Sequence, residues 1–66
     1  MTPDQYWAKL KTIGIVPMNK IPGTKTYLCR DTRADMMRSV PDPESLSAEN
    51  RERALVPLLI QAEFSN

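Results

Sequence analysis

Histidine is absent from this chain, cysteine occurs once, at Cys29, and glycine twice, at Gly14 and Gly23. Each scarcity removes a class of answer. Without histidine the commonest general base and most nucleophile–base pairs are missing, so an enzyme is not expected. A lone cysteine cannot close an internal disulfide, and with no histidine beside it cannot assemble a structural zinc site. The longest apolar run, Ala54–Ile60, has seven residues and contains Pro57, far short of the ~20 needed to span a bilayer. The opening Met1-Thr2-Pro3-Asp4 has neither the basic start nor the apolar core of a secretory signal. These absences describe a cytoplasmic protein with no cofactor, no metal and no membrane contact.

What is present is the composition of a folded domain, 41% apolar and 26% charged over 66 residues. A chain this short buries only ~60% of its unfolded surface, so its core is marginal. A protein partner or a homodimer is therefore expected to complete it. Met18, Met36 and Met37 lie in or beside the expected strands, and methionine suits adaptable contact surfaces. The net charge of +1 conceals an asymmetry. Residues 9–38 carry seven cations against two carboxylates, whereas residues 39–66 carry two cations against five. Either the halves pair with each other or one side of the molecule faces anions.

Thr2-Pro3-Asp4-Gln5 is a helix start: Thr2 caps, Pro3 suits the first position, and Gln5 completes a capping box. Tyr6, Leu10 and Ile13 follow at helical spacing with Trp7 beside them as core anchor, and Gly14 supplies the stop. The spacing predicts a helix over about 3–13. Ile15–Met18 reads as a short edge strand or an extended connector, since Pro17 cannot donate to a ladder. Ile21-Pro22-Gly23-Thr24 has the residues of a type II turn. It leads into a strand Lys25–Arg30, a five-residue turn Asp31–Asp35 and a second strand Met36–Val40. Alternation puts Tyr27 and Cys29 on one face and Thr26, Leu28 and Arg30 on the other, with an apolar residue on each. The core face is therefore left open. Cys29 is expected as a small buried hydrophobe.

A proline-rich connector, 41–46, precedes the last helix, over about 47–63. Ser47 caps it, or it starts earlier with Pro43 at its first position. Leu55, Leu58, Leu59 and Ala62 form its core stripe, Pro57 kinks or breaks it, and Phe64 is expected to fold back on the core. Ser65 and Asn66 are expected to fray. The fold class is α+β: one small domain, 1–66, of order α-β-β-(β)-α. Two helices pack on one face of a two- or three-stranded antiparallel sheet.

This order, with Gly23-Thr24-Lys25 entering a strand and Val40-Pro41 closing one, resembles that of small HicA-type RNA-cleaving toxins. Their motif carries a catalytic histidine in the step where this chain has Lys25. The resemblance implies no nuclease activity, and the chain is not assigned to that family. Asp31 and Asp35 with Thr32 are too few ligands for a calcium site.

The positive signal is the basic hairpin. Lys20, Lys25, Arg30, Arg33 and Arg38 can meet phosphates, and Tyr27 can stack on a base. Two functions follow: a non-enzymatic module binding a protein partner or itself, and alternatively a nucleic-acid-binding regulator.

Overall fold

A computed structural model describes residues 1–64, so the expected fraying of Ser65 and Asn66 lies outside the described residues. The elements are α1 (Pro3–Thr12), β1 (Ile15–Lys20), β2 (Thr26–Asp31) and β3 (Met36–Pro41). A 3-10 turn (Pro43–Ser45) and α2 (Ala48–Phe64) complete the chain. The helix–three strands–helix order is the expected α+β class, and Ile15–Met18 resolves as part of a strand.

The capping box forms as its residues require: Thr2 Oγ1 accepts from the Gln5 amide at 3.2 Å, and Gln5 Oε1 accepts from the Thr2 amide at 2.8 Å. Gly14 ends α1 at φ +84°. The sheet order is β1-β2-β3, antiparallel throughout. Pro17 sits on an edge strand, where its missing N–H faces away from the ladder. The register then slips between Pro17 and Asn19, making Met18 the extra residue of a bulge.

The first hairpin turn has Gly23 at φ +74° and the Thr24 amide bonded to the Ile21 carbonyl at 3.2 Å. The second is shorter than expected. Asp31 pairs with Met36, so the loop is four residues, Thr32–Asp35, with Asp35 at φ 52°. Asp31 Oδ1 accepts from the amides of Arg33 and Ala34, each at 3.1 Å. That is the local carboxylate-to-backbone pairing aspartate brings to a turn.

The open question of the sheet's inner face is settled by Cys29. It is fully buried with Tyr6, Leu10, Ile15, Val40 and Leu55, while Trp7, Tyr27, Leu58 and Leu59 pack against this cluster. Tyr6 is the buried aromatic. Trp7 lies at the rim, edge-on to both Tyr6 and Tyr27 at 5.3 and 5.0 Å, which corrects its expected place as core anchor. A ring of that size is rarely enclosed fully in so small a domain.

Both expected starts of the last helix exist, as separate features. Asp42 Oδ1 caps the 3-10 turn, accepting from the Glu44 amide at 3.1 Å, and Ser47 Oγ caps α2, accepting from the Asn50 amide at 3.2 Å. α2 is one helix of 17 residues with Pro57 inside it, so the proline does not divide the segment in two. Arg53 and Pro57 are both exposed, which leaves the carbonyl deprived of its partner on the water side. Phe64 does not fold back: it is 85% exposed. It lies in phase with Val56 and Ile60 rather than with Leu55 and Leu59, and the helix continues through it.

Gly14 and Gly23 provide a graded test of this frame. A Cβ on Gly14 would lie 2.8 Å from Thr32 Oγ1 and 2.9 Å from Arg33 Cγ, whereas at Gly23 it meets nothing. In urea denaturation Gly23→Ala is expected to lose about 1 kcal/mol from its positive φ alone. Gly14→Ala is expected to lose at least ~2 kcal/mol, because steric displacement adds to the same backbone strain. Equal losses would show that the Gly14 contact is not restrictive.

Candidate functional site

The two hairpin turns lie at opposite ends of β2, roughly 20 Å apart for a strand of this length. That spacing decides what the basic residues can do together. Lys25 is exposed in the first turn and Arg33 in the second. Arg33 Nη2 donates to the Thr12 carbonyl at 3.1 Å. Arg30 points to the outer face of the sheet and pairs with Asp35. Arg38 lies on the helix-covered face, 3.5 Å from Asp31 Oδ2 and 3.3 Å from Gln61 Oε1. Lys20 Nζ is 3.1 Å from Asp42 Oδ2. Tyr27 has its ring edge-on to Trp7. The structure therefore distributes Lys20, Lys25, Tyr27, Arg30, Arg33 and Arg38 over both faces and both ends of the sheet.

The basic and acidic stretches of the sequence are not paired as blocks. Among the ion pairs of the described residues, Lys20–Asp42 alone joins the two; Arg30–Asp35, Arg38–Asp31 and Arg53–Glu49 each stay within one stretch. Local turn and helix geometry brings these partners together first. Asp31 and Asp35 do not converge either, since one is buried against Arg38 and the other pairs with Arg30. Among the described residues no three His, Cys, Asp or Glu side chains cluster closely enough to hold a metal ion.

The buried polar groups serve the frame. Tyr6 donates its hydroxyl to the Pro41 carbonyl at 2.8 Å. Burial, then the neighbouring Cys29 and Asp42 charges, push its pKa up to about 12. Burial pushes the Cys29 thiol up to about 11, which keeps it protonated and unreactive at neutral pH. Among the described residues no buried side-chain nitrogen or oxygen lacks a partner. One cleft opens between Arg33 and Ala34 of the second turn and Leu58, Gln61 and Ala62 of α2. Its volume is about 130 Å³, below the ~300 Å³ at which ligand pockets begin. Its polar walls, Asp31 and Arg38, already bind each other.

What stands out is apolar surface. Among the described residues Met18, Met36, Met37, Val56, Ile60 and Phe64 are large hydrophobic side chains left exposed, six against the six hydrophobic residues, Cys29 included, of the buried core. On α2 the last three recur at i, i+4 and i+8, which makes one continuous stripe on the face opposite Leu55. On the sheet, Met37 lies with Val16 and Leu28 on the face that the helices leave uncovered. The sequence carries the same signal, since Val56, Ile60 and Phe64 keep helical spacing on a face separate from the Leu55–Leu59 stripe. No described helix is long and apolar enough to cross a membrane. Comparison with protein-family models, with curated proteins and with solved structures finds no match.

The two raised pKa values set the pH dependence. Both groups are neutral in the fold and ionise more readily when unfolded, near their ordinary values of 9.0 and 10.0. Their contribution is therefore complete below about pH 9 and lost as pH rises through about 11 to 12. Chemical denaturation from pH 7 to 11 is expected to show falling stability only above pH 9, and less of it in Cys29→Ala. A thiol reagent at pH 8 is expected to label Cys29 only at the rate of unfolding.

Proposed function

We propose that this chain is a small non-enzymatic interaction protein that binds a protein partner or itself, on the apolar face of α2 and the open face of the sheet. One observation carries the reading: a domain with six buried hydrophobic residues leaves six large ones exposed, three of them contiguous along one helix. Single exposed apolar side chains need no explanation, but a contiguous patch marks a contact surface. Met37 on the open sheet face suits such a surface, because its unbranched thioether adapts to differently shaped partners. The lack of histidine, the protonated buried thiol and the small cleft add nothing that points to catalysis.

The nucleic-acid alternative would need the dispersed cations to act together, and most are already engaged within the chain. The test uses the immobilised chain as bait in lysate of its source cells, beside the variant V56S/I60S/F64S. Wild type is expected to retain a protein that the variant loses, with both chains folded by circular dichroism. In parallel, a fluorescent single-stranded oligonucleotide is titrated at low and moderate salt. Binding no tighter than the ~10⁻⁴ M limit of non-specific association is expected. Tight, steeply salt-dependent binding that K25A/R30A/R33A removes would overturn the protein-binding reading in favour of the nucleic-acid one.

A further inference from the structure

We infer that the exposed face of α2 is a self-association seam on which a second copy of this chain packs antiparallel. The inference rests on the interaction reading above and names its partner. Arg53, Val56, Ile60 and Glu63 are all exposed, and their 3-4-3 spacing is that of successive seam positions in a two-helix coiled coil. Along this face the order is cation, apolar, apolar, anion. It reads as its own complement when reversed.

Turn a second α2 antiparallel, with the two-fold axis at the level of Leu58, and every layer matches. Val56 meets Ile60 of the second copy, Ile60 meets its Val56, and Arg53 and Glu63 meet their opposites at the two ends. Phe64 then flanks the seam beside Asn50 and Arg53 of the second copy, covering a ring that is otherwise exposed. A parallel pair would set Arg53 against Arg53 and Glu63 against Glu63, a like-charge penalty at both ends. Packing α2 on the open sheet face of another copy would be heterologous and generate open chains rather than a closed dimer. Within its own chain Arg53 holds Glu49 at 3.0 Å, an exposed i,i+4 pair. Such pairs are weak, so Arg53 can exchange this partner.

The matched segment, Arg53 to Glu63, spans eleven residues, about 15 Å of helix. So short a seam falls below the standard interface size, and association on the order of 100 µM is expected.

Sedimentation equilibrium of the purified full chain from about 10 µM to about 1 mM brackets that affinity. Wild type is expected to pass from monomer to dimer. I60D is expected to weaken association at least ~10-fold with an unchanged circular dichroism spectrum. The charge order supplies a second readout: R53E and E63R each weaken the dimer, and R53E/E63R restores it. A chain still monomeric at the highest concentration would overturn the seam, as would a dimer indifferent to I60D or a double variant no tighter than either single one. Monomeric behaviour combined with α2-dependent capture of a different protein would remove this inference while leaving the proposed function standing. Monomeric behaviour with no capture would remove both.

Discussion

Everything in this fold hangs on the close approach of Gly14 to the second hairpin turn. The Gly14 carbonyl accepts from both the amide and the hydroxyl of Thr32, each at 2.8 Å, and Arg33 reaches the neighbouring Thr12 carbonyl. Arg33 thus satisfies the last carbonyl of α1, one that a helix terminus otherwise leaves unpaired, while Thr32 holds the residue just beyond it. The approach is open only to a residue without a side chain. Tyr6, nearer the start of the same helix, donates to Pro41, whose strand position pairs with Thr26 at the other end of the sheet. α1 is therefore tied along the length of the sheet. Ten helical residues rise about 15 Å and six strand residues about 20 Å, so the two match closely enough for both ties to hold.

Once α1 is fixed, α2 has one place to go. Leu55 completes the core, and Arg51 donates to the Pro43 carbonyl at 2.6 Å and the Met1 carbonyl at 2.9 Å. The first half of α2 is thereby joined to the 3-10 turn and the N-terminus. Arg38 and Gln61 connect its second half to β3. These contacts engage one side of the helix. Among the described residues no second layer covers the other.

The parts legible in the sequence were those governed by local chemistry. Thr2 with Gln5, Pro22 with Gly23, Ser47 before an acidic first turn, and Gly14 after an apolar stripe each name a conformation within a few residues. The side-chain faces of β2 were not legible, because Leu28 and Cys29 are both apolar and adjacent. Only the helices, arriving from both ends of the chain, choose between them. The basic residues misled for the same reason. Their proximity in sequence is real, but strand alternation and two turns at opposite ends of one strand carry them apart. Phe64 does not fold back because α2 extends through it, in phase with Val56 and Ile60.

The Ala54–Ile60 run shows why one face of α2 stays apolar and exposed. A helix distributes consecutive residues around its axis at about 100° each, so seven apolar residues in a row necessarily face every direction. One neighbouring layer can bury roughly half of them. Polar residues at Val56 and Ile60 would reduce the risk of aggregation. Each of the two is about half-exposed, so only part of its apolar surface is covered within the fold. The rest would leave water only if something else packed on that face. Arg53 and Glu63 are exposed at either end of the patch, charges of opposite sign that any surface packed there would have to match.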